Sequence, residues 1–124
     1  MEYISNILKA LSDPIRLRII SLLRHGELCV CDVTESLQLP QSTVSRHLGT
    51  LRRTGWVKAH RRGKWMHYML DASSSTQVRI ADILTGELPM MEICQEDDKR
   101  YFAYLAVESP HACDPITVTT ERDL

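Results

Sequence analysis

Gln41-Ser42-Thr43-Val44-Ser45-Arg46-His47-Leu48-Gly49-Thr50-Leu51-Arg52-Arg53-Thr54-Gly55 is the stretch on which the reading of this chain turns. At about 100° per residue, Val44, Leu48 and Leu51 share one narrow sector and must face a core. The opposite side carries Ser42, Thr43, Arg46, Gly49, Thr50 and Arg53, with Ser45 and His47 flanking and no carboxylate anywhere. Leu39-Pro40 precedes the segment and Gly55 closes it, so the spacing predicts a helix from Gln41 to Thr54. Upstream, Asp32 with Glu35 three residues on has capping-box spacing, which predicts a short helix from Asp32 to Gln38. A gap of about four residues between the two makes a helix-turn-helix.

Downstream the period changes from helical to two. Trp56-Val57-Lys58-Ala59-His60 and Trp65-Met66-His67-Tyr68-Met69-Leu70 flank the turn Arg61-Arg62-Gly63-Lys64, a β-hairpin with a basic tip. Further out, Tyr3, Ile4, Ile7, Leu8 and Leu11 predict an amphipathic opening helix. Asp13-Pro14 is an N-cap followed by proline at the first helical position, starting a helix from Ile15 to Arg24 that His25-Gly26 ends. Ser73 to Thr76 offers N-caps for a helix through Leu84, closed by Gly86 and Pro89. A last helix is expected over roughly 91–107. The expected organisation is one domain over 1–108 and a poorly ordered tail over 109–124, which contains Pro110 and Pro115.

Charge sorts along the chain in the same way. The 124 residues are 44% apolar with a net charge of −1, enough for one compact domain. Residues 41–70 nevertheless carry seven Lys and Arg and no Asp or Glu, a net of +7, while residues 71–124 carry a net of −7. Such asymmetry points to an anionic partner. Hydroxyls and guanidinium groups on one helix face suit both phosphate oxygens and base edges of duplex DNA. The residues expected to meet it are Gln41, Ser42, Thr43, Ser45, Arg46, His47, Thr50 and Arg53 on the helix, with Arg61, Arg62 and Lys64 on the hairpin. The longest apolar run, Tyr101–Val107, has seven residues, against the roughly 20 of a membrane span. No secretory signal is visible, so a cytoplasmic location is expected, with no membrane partner. There the four cysteines, Cys29, Cys31, Cys94 and Cys113, read as thiols, ligands or redox sensors before structural disulfides.

Three motifs in order, Glu27-Leu28-Cys29-Val30-Cys31-Asp32-Val33, Gln41-Ser42-Thr43-Val44-Ser45-Arg46-His47-Leu48 and Gly63-Lys64-Trp65-Met66-His67-Tyr68, resemble the ArsR/SmtB family of winged-helix metal sensors. The likeness covers about Asp13 to Leu70, near half the chain. It implies a mainly α fold with a β-hairpin wing, a winged helix-turn-helix dimerising through its N- and C-terminal helices. It also implies a repressor that leaves operator DNA when an inducer binds.

Cys29-Val30-Cys31 is where chemistry resides. Thiolates are soft ligands for thiophilic ions, and a close pair chelates. In a regular helix residues two apart diverge by about 200°, so the sulfurs converge only in an extended turn or at a frayed helix start. Amide dipoles there favour thiolates at neutral pH. By resemblance the inducer is trivalent arsenic or antimony, with no organic cofactor. Arsenic repressors of the similar type have a third cysteine where this chain has Thr34, which leaves Cys113, Cys94 or no third ligand. The alternatives are a cadmium- or lead-sensing repressor of the same family, and a thiol redox switch using Cys94. A small thiol enzyme such as an arsenate reductase lacks support: there is no C-x-x-C, phosphate-cradling loop or Cys/His pair at catalytic spacing, and no catalytic residue is assigned.

Overall fold

The computed structural model of the chain describes residues 1–107. In chain order the elements are α1 (Glu2–Leu11), α2 (Pro14–Leu23), β1 (Leu28–Cys29), α3 (Val30–Leu37), α4 (Gln41–Arg53), β2 (Val57–Arg62), β3 (Trp65–Leu70), α5 (Ser75–Glu87), a 3-10 turn (Leu88–Met90) and α6 (Glu92–Leu105). This is the winged helix-turn-helix expected from the sequence. The tail assigned to 109–124, with Cys113, lies outside the described residues.

α2 is the centre of the core. Asp13 caps it, with Oδ1 accepting from the amides of Ile15 (2.8 Å) and Arg16 (3.2 Å), and Pro14 occupies the first turn where no amide is missed. Its Ile19, Ile20, Leu22 and Leu23 are buried among Val33 and Leu37 of α3 and Val44, Leu48 and Leu51 of α4. The three positions that define the inward face of α4 are thus sealed from water. Trp56, 1% exposed, locks the opening helix to the wing by donating its indole N–H to the Ile7 carbonyl at 3.0 Å. Gly55 between α4 and β2 has φ +83°, and a Cβ there would sit 2.6 Å from the Ser73 hydroxyl. The junction therefore demands glycine on both counts.

The hairpin turns at Gly63-Lys64, with Gly63 at φ +62° and Arg62 paired across to Trp65. Arg61 and Arg62 belong to β2 rather than to the turn. A third strand completes the sheet in the order β1-β3-β2, with Leu28 opposite Tyr68 and Cys29 opposite His67. Two residues are too short to show a period, so β1 has no sequence signal of its own.

Two further boundaries differ from expectation. α3 starts at Val30 with Cys29 as N-cap, and Asp32 is the third residue of a capping box instead of the cap itself. α5 runs through Gly86 to Glu87, and its end is set by the 3-10 turn containing Pro89.

Candidate DNA-reading face and thiol site

α4 presents Gln41, Ser42, Ser45, Arg46, Arg52 and Arg53 to solvent, with Thr43, Gly49 and Thr50 half-exposed. The Arg53 guanidinium folds back over Gly49, where a Cβ would come within 3.3 Å of Nη1, and Nη2 donates to the Thr50 hydroxyl at 3.2 Å. Glycine at 49 keeps this part of the helix surface low. Arg61 and Lys64 stand exposed on the wing. Arg62 is also exposed, but its Nε reaches Glu27 at 3.4 Å, where His60 (3.2 Å) and His67 (3.5 Å) converge on the same carboxylate. A groove of about 420 Å³ between α1 and the end of α4, lined by Lys9, Arg16, Thr50 and Arg53 among others, carries the basic surface onto the opening helix. Lys9 had no motif to single it out; only the packing of α1 beside the end of α4 brings it to this groove.

His47 departs from the expected set. It is 6% exposed, and its Nδ1 lies 3.0 Å from Arg16 Nη1, in the packing between α2 and α4. Burial holds its pKa below the ordinary imidazole value, with Asp13 opposing and the Arg16 and Arg46 cations reinforcing the shift. A neutral ring can accept the Arg16 proton through Nδ1, an assignment made from its partner. The wheel placed His47 at the edge of the polar face, and α2 covers that edge.

The thiol site is built at the start of α3. Cys29 is extended (φ −80°, ψ 160°), while Cys31 lies in the first helical turn. This break in geometry removes the divergence that two residues of spacing impose inside a helix. The Cys29 Sγ accepts from the amide of Cys31 at 3.2 Å and from that of Asp32, and Asp32 Oδ2 accepts from the Cys29 amide at 2.9 Å. Amides aimed at a sulfur stabilise negative charge on it. Cys29 and Cys31 are 2% and 8% exposed, and Cys31, expected from the sequence to be a thiol, is disulfide-bonded in this structure, so an ion that takes both sulfurs requires Cys31 reduced and the turn opened. The donor set suits a soft thiophilic ion. Among the described residues no group of three or more His, Cys, Asp or Glu could hold a metal ion.

Cys94 is not brought to this pair. It is buried at the α2–α6 seam, where its thiol is hydrogen-bonded with Ser21. Burial pushes that thiol up, with Asp97 and Asp98 adding to the shift and Ser21 and Arg18 opposing it. The residue of α6 that bonds to the first turn of α3 is Tyr104, ten residues further on, about 15 Å along a helix axis. Cys113 lies outside the described residues.

What the sequence did not reveal is how α6 holds α3. The Tyr104 hydroxyl donates to Asp32 Oδ1 at 2.9 Å. Arg100 Nε donates to the Ser36 carbonyl at 2.7 Å, and its Nη2 to Asp97 at 2.7 Å. Arg18 grips Asp97 with two bonds (2.9 and 2.8 Å) and also donates to the Leu37 carbonyl at 3.1 Å. Cys94, Asp97, Tyr101 and Tyr104 form the inward stripe of α6 at intervals of three and four; the signal was present, but its polar members disguised it.

Residues 13–59 match the description "Bacterial regulatory protein, arsR family". An uncharacterized HTH-type transcriptional regulator of Methanocaldococcus jannaschii is 39% identical over 85 residues, 67% of this chain and 96% of that protein. An arsenical resistance operon repressor of Escherichia coli is 46% identical over 65 residues, 52% of this chain and 56% of its own length. A cadmium resistance transcriptional regulatory protein of Listeria innocua is 40% identical over 68 residues, 54% of this chain and 57% of its own. The chain thus spans little more than half of each of these two resistance regulators. Among solved structures, reduced HlyU from Vibrio cholerae is 30% identical with TM-score 0.62, covering 73% of this chain and 92% of that one. The homodimeric winged helix-turn-helix DNA-binding domain of a possible ArsR-family transcriptional regulator from Mycobacterium bovis is 25% identical with TM-score 0.61, covering 73% and 83%. With its fold, its thiol-capped third helix and these relatives in agreement, the chain belongs to the ArsR family and is a winged helix-turn-helix transcriptional repressor.

Proposed function

We propose that the protein is a homodimeric repressor that releases operator DNA when trivalent arsenic or antimony binds Cys29 and Cys31. The observation that carries this is the position of Cys29 as N-cap of α3, the first helix of the helix-turn-helix. Drawing both sulfurs onto one ion disturbs the cap, and α3 packs directly on α4. Operator contact is assigned to Gln41, Ser42, Thr43, Ser45, Arg46, Thr50 and Arg53 of α4 and to Arg61, Arg62 and Lys64 of the wing. The apolar faces left exposed on the outer helices, Tyr3, Ile4 and Leu8 on α1 and Phe102 and Leu105 on α6, support dimerisation there. A two-fold dimer reads half-sites about one helical turn apart, so a small reorientation spoils both contacts together.

The resistance regulators similar to this chain are named for arsenicals and for cadmium, and a cadmium- or lead-responsive repressor is the second reading. A four-sulfur site needs more thiols than the pair that α3 supplies, which favours a metalloid content with two or three. Cys113 is the proposed third ligand. The test is operator binding titrated with arsenite, antimonite, cadmium, lead and zinc, on the wild type and on Cys29→Ser, Cys31→Ser and Cys113→Ser. Arsenite is expected to release the wild type and to fail with either of the first two variants. Release of both variants by arsenite would place the inducer site elsewhere.

A further inference from the structure

The Asp32 carboxylate is 1% exposed and has both oxygens committed to different parts of the molecule. Oδ2 accepts from the amide of Cys29, while Oδ1 accepts from the hydroxyl of Tyr104 in the last turn of α6. One rigid, buried group thus joins the thiol-bearing cap to the helix that carries the exposed Phe102 and Leu105. The other α3–α6 hydrogen bond described above, Arg100 to Ser36, attaches at the far end of α3, where Arg18 of α2 also donates to the Leu37 carbonyl. Tyr104 alone among these reaches the end where the cysteines lie.

We propose that Tyr104 is the coupling residue of this repressor, conveying occupancy of the Cys29/Cys31 site to α6 through Asp32. The inference rests on the thiol-inducer reading above and adds its route. An ion bound by the Cys29 sulfur competes with the amides that now hold that sulfur, and the cap moves. Asp32 must follow the Cys29 amide or lose it, because a buried carboxylate does not forgo a donor cheaply. Either response displaces the Tyr104 hydroxyl. The adjoining turn of α6, with Phe102 and Leu105, then shifts against whatever covers it, and in a dimer that changes the separation of the two α4 helices. Tyr104 belongs to neither the thiol pair nor the DNA-contacting set proposed above, so its contribution is a difference between two states.

The experiment compares wild type and Tyr104→Phe as full-length chains. Operator affinity is measured by fluorescence anisotropy with and without arsenite, and arsenite affinity by thiolate absorbance with and without operator. For the wild type, arsenite is expected to weaken operator binding on the order of 100-fold. In Tyr104→Phe, arsenite should bind the free protein as tightly as before, yet the operator ratio should fall below about tenfold. Linkage requires operator to weaken arsenite binding by the same reduced factor. A merely structural role for the hydroxyl would lower both operator affinities alike, and an unchanged ratio overturns the proposal. A wild-type operator complex that ignores arsenite, antimonite and cadmium overturns the thiol-inducer reading, and the coupling with it. Should Tyr104→Phe not fold, Asp32→Asn supplies the second variant, because one amide cannot accept from both partners as the carboxylate does. A wild-type ratio in that variant also overturns the proposal.

Discussion

Arginine does two different jobs on opposite sides of this molecule. On the α4 and wing side, Arg46, Arg52, Arg53 and Arg61 are exposed, and none pairs with an acid among the described residues. At the α2–α3–α6 seam, Arg18 and Arg100 share Asp97, and Arg24 grips Asp98 with two bonds (3.2 and 2.6 Å). The same side chain is a reserve of positive charge in one place and a structural clamp in the other. What distinguishes them is the supply of carboxylates. The +7 stretch has none of its own, whereas the acidic C-terminal part contributes Asp97 and Asp98 to the interior as well as charge to the surface. Guanidinium groups left unpaired by the fold remain available to phosphates.

The largest effect expected from this contrast follows removal of a carboxylate. Asp97 is 2% exposed and serves two arginines, so Asp97→Ala strands the largely covered Arg18 and should cost about 3 kcal/mol in urea unfolding. Arg46→Ala should stay within about 0.5 kcal/mol of the wild type in the same measurement. Equal losses in the two variants would erase the division.

Arg46→Ala should act on DNA instead. Operator affinity is expected to fall about tenfold, and the slope of log affinity against log salt to become shallower by about 1. An affinity loss with an unchanged slope would remove Arg46 from the phosphate contacts and sharpen the reading toward base contact.

The smallest effect is in the pH dependence of stability, on the order of 1 kcal/mol. Burial alone would raise the Asp98 carboxyl, but hydrogen bonds from Arg24 and His25 outweigh it and hold the group below its usual range. Its contribution is therefore complete above the ordinary carboxylate value and is lost as pH falls through that range toward the lower folded value. Asp98→Asn should flatten the acid limb of the curve. Cys94 acts with the opposite sign at the other end: its raised thiol favours the folded state below the ordinary thiol value, and the gain is lost as pH rises through it. Cys94→Ala should flatten the alkaline limb. A basic-face variant such as Arg61→Ala should leave both limbs in place, because its guanidinium pairs with no acid among the described residues.

Local signals were sufficient wherever a periodic apolar face met a strong stop. Val44, Leu48 and Leu51 at helical spacing, closed by Gly55, fixed α4, and alternation across Gly63 fixed the wing. Gly86 misled because a glycine within a helix costs only about 1 kcal/mol, which packing overrides. Cys29 was missed as a cap because a sulfur acceptor is not among the usual cap residues, and β1 because two residues make a strand only when β3 lies alongside. His47 was assigned to the polar face for a related reason: a wheel gives direction from one helix axis, and the position of α2 decides which edge is covered.

By itself, then, the sequence determined the order of the elements, the acid-free basic stretch and the adjacency of Cys29 and Cys31, since each depends on residues near one another in the chain. The tertiary structure alone decided which charges are spent internally and which helix bonds to the turn that Cys29 caps. Asp32 meets Tyr104 across 72 positions and Arg18 meets Asp97 across 79. No local preference encodes such pairings; they arise because burying the inward stripe of α6 against α2 and α3 leaves those polar groups no other partners away from water.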